Sequence, residues 1–168
     1  MTTGLQEQEL SARDTSIPMD RQGSIWESKP EKQACVVLVD DDELVLSTLR
    51  MLLEINGGFL ILGFTDPLQA VQELEHTLVD IIISDCRMPG INGLELLKKA
   101  RALQPNAKRI LLTGYADKQN ASRAVKEVGI YKYMEKPWDN DDLLLVLRNA
   151  LQEKGSGPAS HGRSTGRS

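Results

Sequence analysis

Cysteine is scarce in this chain: Cys35 and Cys86 are the only two in 168 residues. They sit at no metal-ligand spacing, and two thiols cannot make a disulfide framework. A basic excess is missing too. Twenty Lys and Arg stand against twenty-four Asp and Glu, a net charge of −4, so the whole chain has no surplus with which to grip a phosphate backbone. No apolar run approaches the ~18 residues that suggest a transmembrane helix. Met1–Leu10 is polar and lacks the apolar centre of a signal peptide. Neither G-x-G-x-x-G nor the phosphate-loop pattern G-x-x-x-x-G-K-[ST] occurs. What is left is an ordinary soluble balance, 40% apolar and 26% charged, and the expectation of a cytoplasmic protein without nucleic-acid binding or membrane insertion.

Composition divides the chain in three. Residues 1–33 are polar with net charge −2, and residues 155–168, GSGPASHGRSTGRS, carry only Arg163 and Arg167. Neither segment offers enough apolar surface to offset its ordering entropy, so both are expected to be flexible tails. The central 34–154 carries −4 and is long enough for one core.

Two periodicities alternate inside that core. Cys35–Val39 is a continuous apolar run ending in Asp40-Asp41-Asp42. Residues 43–56 follow with Leu44, Val45, Leu49, Leu52 and Ile55 at helical spacing, Asp42 placed as a cap and Gly57-Gly58 as a stop. Phe59–Phe64 reads as a strand, and Thr65-Asp66-Pro67 opens a helix through His76. Val79–Ser84 is a buried strand ending at Asp85, followed by a helix from Gly93 to Leu103. Arg109–Leu112 ends at Thr113, and Asp117–Val128 reads as one continuous helix. Ile130–Met134 leads to Glu135-Lys136-Pro137, after which Asp139 or Asn140 caps a helix reaching Lys154. Five strand–helix repeats with short right-handed connections predict a flavodoxin-like, doubly wound α/β domain, (βα)5, with a five-stranded parallel sheet in the order 2-1-3-4-5.

In such sheets ligands bind beyond the carboxyl ends of the strands. Strand 1 brings Asp40 and Asp41 there, strand 3 Asp85, strand 4 Thr113 and strand 5 Lys136. Three converging carboxylates repel unless a cation joins them, and an oxygen-only donor set favours Mg²⁺. Mg²⁺ needs only one or two carboxylates, which leaves one for chemistry. A carboxylate can attack a phosphoryl group to form an aspartyl-phosphate. An ammonium and a hydroxyl then suit the charge on the phosphoryl oxygens.

VLVDDDE, IIISDCRMPGINGLELL, LLTGY and YMEKPW together resemble the motifs of response-regulator receiver domains of two-component signalling, in order and spacing over 35–152. The resemblance implies that Asp85 is the phosphoacceptor and that Asp40, Asp41 and Asp85, with the backbone carbonyl of Arg87, hold Mg²⁺. It further implies Thr113 as switch hydroxyl, Lys136 as the phosphate-pairing lysine, Tyr133 as switch aromatic and a cis Lys136-Pro137 bond. A sensor histidine kinase or a histidine phosphotransfer protein would be the donor. The helix 4–strand 5–helix 5 face would bind a downstream protein or a second copy of the chain. TGYAD and YKYMEKPWD are closest to receivers found beside output domains such as cyclic-dinucleotide phosphodiesterases. The roughly 14 residues after the last helix cannot supply a helix-turn-helix, so a stand-alone receiver is expected.

Other readings fit less well. A haloacid-dehalogenase-like phosphohydrolase would place a second Asp two residues after the first, where this chain has Arg87. A degenerate, never-phosphorylated module would have no need of all five strand-end residues. The expectation is therefore a switch that catalyses only its own phosphorylation and slow dephosphorylation, not a turnover enzyme. Arg87 and Tyr115, two residues past Asp85 and Thr113, are long enough to screen an acyl phosphate from water. Cys35 and Cys86 read as packing residues, His76 as surface, and Lys98, Lys99 and Arg101 as a solvated helix face. Trp138 and Tyr131 either meet a partner or cover the sheet edge.

Overall fold

The computed structural model describes residues 32–155, the side chains of 115, 120, 154 and 155 excepted. The chain alternates β1 (Ala34–Val39), α1 (Glu43–Asn56), β2 (Phe59–Phe64), α2 (Pro67–His76), β3 (Ile81–Asp85), α3 (Gly93–Leu103), β4 (Lys108–Thr113), α4 (Lys118–Ala124), β5 (Lys132–Glu135) and α5 (Asn140–Gly155). All strand pairs are parallel, and the sheet order is β2-β1-β3-β4-β5, as the sequence predicts. Register aligns Val39 with Ser84 and Asp85 with Leu112, bringing the strand ends to one edge.

Two-residue alternation sorts the strand side chains into two layers. Val36, Leu38, Ile81, Ile83, Ile110 and Leu112 face α1 and α5. Cys35, Val37, Val39, Ile82 and Leu111 face α2, α3 and α4. Four helices start where a short polar side chain accepts from a free backbone N–H, as capping requires. Asp42 accepts from Leu44, Asp66 from Leu68, Asn92 from Glu95 and Asp139 from Asp142. Asp42 is thus a cap, and of the two candidates for α5 it is Asp139 that serves. Gly57 ends α1 at φ +67°, a positive φ that glycine adopts without a Cβ penalty.

Three expectations need correction. The buried stripe of α1 is Leu49 and Leu53, supported by Val45, Leu46 and Leu52. Leu44 and Ile55 are instead 74% and 78% exposed, because the helix is rotated so that Leu49 and Leu53, four residues apart, share the inward face. The expected continuous helix 117–128 is broken. A 3₁₀ turn at Tyr115–Asp117 leads into seven residues of α4, and a π turn at Val125–Gly129 follows. Third, two strands start later than apolarity suggests: β3 begins at Ile81 and β5 at Lys132. Asp80 turns its carboxylate to the Cys35 backbone N–H, 2.8 Å away, and so serves as a strand-end staple. Trp138 and Tyr131 are half-buried against the α1/α5 layer, so in this structure they cover the sheet edge.

Candidate functional site

Asp40 follows β1, and Asp85 is the last residue of β3; both are buried. Asp41, beside Asp40, is exposed. One oxygen from each of Asp40, Asp41 and Asp85 falls in a group within 4.8 Å of one another. The Lys136 ammonium, arriving past the end of β5, bridges two of the three. It stands 2.8 Å from Asp85 Oδ1 and 2.9 Å from Asp40 Oδ2. Burial works against its charge, yet the hydrogen bonds to Asp85 and then Asp40 outweigh burial and hold the ammonium above the ordinary lysine range. Asp40 Oδ1 also accepts from the Asp42 N–H at 2.9 Å.

Thr113 closes β4, fully buried, and its hydroxyl donates to the Met134 carbonyl at 3.4 Å. The Lys136 N–H donates to the Thr113 carbonyl at 2.8 Å, which ties the lysine's strand to the threonine's. Lys136-Pro137 is cis, as the resemblance implies. Tyr133 lies half-buried on the α4 side of β5.

Three carboxylates against one ammonium leave an excess of negative charge, and every donor is a hard oxygen. That set fits Mg²⁺ and argues against zinc or copper. Asp40, Asp41 and Asp85 are the side chains that could hold it.

Sequence reasoning missed two features. Gly93 donates to the Cys86 carbonyl at 2.9 Å and lies so close to the end of β3 that a Cβ there would sit 1.9 Å from the Asp85 carbonyl oxygen. The glycine in PGINGLELL signals that approach, but only as a helix start. Arg87 reaches across to Asp117, its Nε 2.9 and 2.8 Å from the two carboxylate oxygens. It is therefore engaged with Asp117, whereas screening of an acyl phosphate on Asp85 would require it to turn back. The Tyr115 side chain lies outside the described residues. The Cys86 thiol is raised by burial first, then by Asp117 and Asp85, and reads as the inert packing group expected. Cys35 is likewise core, and His76, Lys98, Lys99 and Arg101 are exposed. Among the described residues no helix is long and apolar enough to cross a membrane.

The profile of the response regulator receiver domain matches residues 36–148. Over 125 residues the chain is 37% identical to the hydrogenase transcriptional regulatory protein HoxA of Cupriavidus necator, covering 74% of this chain and 26% of that protein. The signal receiver domain of an HD domain-containing protein from Pseudomonas fluorescens Pf-5 superposes with a TM-score of 0.70 at 37% identity, over 74% of this chain and 99% of that one. A response regulator from Burkholderia pseudomallei, solved with a phosphorylated aspartic acid and a calcium ion, gives 0.63 at 28% identity, over 73% and 71%. The chain spans about a quarter of the length of the hydrogenase and dicarboxylate-transport regulators it matches. Those relatives are transcriptional regulators rather than metabolic enzymes. With the 2-1-3-4-5 sheet and the acidic strand-end cluster in place, the match places this chain in the response regulator receiver domain family, the phosphoacceptor signalling switches of two-component systems.

Proposed function

We propose that Asp85 accepts a phosphoryl group from a phosphohistidine on a sensor kinase or phosphotransfer protein. The observation that carries this is the Lys136 ammonium held 2.8 Å from an Asp85 oxygen at the mouth of the site. A carboxylate oxygen of Asp85 attacks phosphorus, the phosphorus–nitrogen bond breaks, and the departing imidazole takes up a proton. Lys136 pairs with one phosphoryl oxygen, and the Thr113 hydroxyl leaves the Met134 carbonyl to donate to another. Asp40, Asp41, Asp85 and the Arg87 carbonyl would hold Mg²⁺, which when bound neutralises phosphoryl charge. Water later attacks the acyl phosphate and restores the carboxylate. The Burkholderia regulator with its phosphorylated aspartate and bound calcium supports this assignment.

Two surfaces fit the partners. On α1, Leu44, Met51 and Ile55 are all well exposed and recur at intervals of seven and four residues, so they form one apolar stripe. That stripe, with the loop after β5, is the docking site for the phosphohistidine donor. A cleft of about 630 Å³ lined by Ala116, Lys118, Gln119, Ser122 and Tyr133 lies on the α4–β5 face, which controls a downstream protein or pairs with a second copy once Tyr133 turns inward. The receiver is residues 34–154, flanked by the polar 1–33 and 155–168, and it works in the cytoplasm.

Intact mass after incubation with acetyl phosphate and Mg²⁺ tests the reading. One phosphoryl adduct is expected on the wild type and none on Asp85→Asn. If a phosphohistidine donor also fails to label the folded wild type, the chain is an interaction module instead. An adduct on both proteins would move the acceptor elsewhere.

A further inference from the structure

We infer that Asp117 is a positioning residue of the phosphoryl-transfer site: it either holds Arg87 off the acceptor or caps α4, and the charge on Asp85 selects between the two. This rests on Asp85 being the acceptor. Arg87 and Asp117 come from the loops that follow the neighbouring strands β3 and β4, thirty residues apart in sequence. Arg87 follows Asp85 by two residues, and Asp117 follows Thr113 by four. The Asp117 side chain is 11% exposed and the Arg87 side chain 72%. The carboxylate is thus the buried member of the pair and the guanidinium the solvent-facing one, with room to swing.

Asp117 occupies the residue before α4, where a short acidic side chain ordinarily caps the first turn. Here it makes no capping hydrogen bond. The other caps show why. Asp42, Asp66 and Asn92 have ψ of 109°, 116° and 169°, the extended backbone that aims a side chain at the following amides. Asp117 has ψ −1° because it finishes the 3₁₀ turn, and its carboxylate goes to Arg87. Releasing it from Arg87 and opening that turn would convert Asp117 into a cap like the other three.

Phosphorylation supplies the release. A phosphoryl group replaces a single carboxylate charge on Asp85 with about two and adds three strong acceptor oxygens. Asp85 and Asp117 already act on one neighbourhood, since both raise the Cys86 thiol while Arg87 and Lys136 lower it. Lys136 already bridges Asp40 and Asp85, so Arg87 is the adjacent cation able to move to the new charge. Asp117, left without it, turns to the α4 amides. The start of α4 shifts with it, joined to β5 through the Lys118–Glu135 pair at 3.0 Å.

Amide hydrogen exchange of 118–124 in phosphate-free buffer tests this on the full chain, with circular dichroism to confirm folding. Arg87→Ala frees the cap and Asp117→Asn keeps a capping side chain without the ion pair. Both are expected to slow α4 exchange about fivefold, the effect of gaining one cap. Asp117→Ala can do neither and should speed it. Exchange in Arg87→Ala and Asp117→Asn as fast as in Asp117→Ala would overturn the proposal. So would wild-type rates in all three. A parallel arm phosphorylates the wild type and expects the same slowing at α4. An absent mass adduct in that arm counts against Asp85 as acceptor, whereas an adduct without slowing counts against the exchange at Asp117.

Discussion

The two faces of the sheet are filled with different kinds of side chain. Toward α1 and α5 the buried cluster is Val36, Leu38, Leu49, Leu53, Ile81, Ile83, Ile110, Leu112, Leu143, Leu144 and Leu147, with Ala150 its one small member. Toward α2, α3 and α4, seven of eighteen buried residues are alanine or cysteine. Among the described side chains of α4, only Ala121 and Ala124 are buried. Burial stabilises in proportion to apolar area, at roughly 25 cal/mol per Å², so α4 is held by little. It is also short, lies between a 3₁₀ and a π turn, and no side chain caps it among the described residues. One face is a stiff base; the other carries an element that moves cheaply.

The same alternation divides the functional residues. Asp40 and Asp85 continue the parity of Val36, Leu38, Ile81 and Ile83, and belong with the stiff side. Thr113 and Tyr133 continue the parity of Leu111 and face α4. In the proposed function, chemistry thus stands on the firm layer and the switch residues on the loose one.

The sharpest way to break this comparison is truncation on both faces. Leu53→Ala in the α1/α5 layer should cost about 2–5 kcal/mol, and Ala124→Gly in α4 only about 1 kcal/mol, measured by urea denaturation. Equal costs would erase the distinction. Gly93→Ala should come next, at about 1–3 kcal/mol, because its Cβ must push the Asp85 backbone aside. Its phosphoryl uptake from acetyl phosphate should also fall, and a variant that labels at the wild-type rate would show that the acceptor strand yields easily. Asp42→Ala removes a real cap from α1 and should cost about 1 kcal/mol.

The smallest expected effect lies at the opposite end of the sheet. Tyr131 donates to Glu153 at 3.0 Å beneath the Lys108 ammonium. Partial burial, then the Glu153 hydrogen bond and charge, raise its phenol above the ordinary range. A raised group stabilises fully below its unfolded pKa, about 10, and that contribution disappears as pH climbs through the folded value. The stability gap between wild type and Tyr131→Phe should therefore shrink above about pH 10; a gap that widened would contradict the assignment.

Much of this was legible in the residues. β1, β3 and β4 are apolar runs that lead into a polar residue at or just past their ends, which places Asp40, Asp85 and Thr113 at one edge, and Lys136 follows β5 to the same edge. Asp42, Asp66, Asn92 and Asp139 cap because capping needs only neighbours a few residues away. The face of α1 was less readable. Apolar residues ring that helix, and only contact with the sheet selects Leu49 and Leu53 over Leu44 and Ile55. Gln104 shows the same limit: its side chain accepts from Val79 and donates to the Leu74 and Thr77 carbonyls, and nothing near it in sequence announces that role.

By itself, then, the sequence determined the alternation of strands and helices, the parallel sheet and the residues at its carboxyl edge, because apolar periodicity, capping and turn chemistry act over a few neighbouring positions. Only the tertiary structure decided which side of α1 is buried, where α4 breaks and that Arg87 answers to Asp117 instead of Asp85. Those outcomes depend on groups far apart in the chain, whose competition is settled by distance and burial after the sheet has formed.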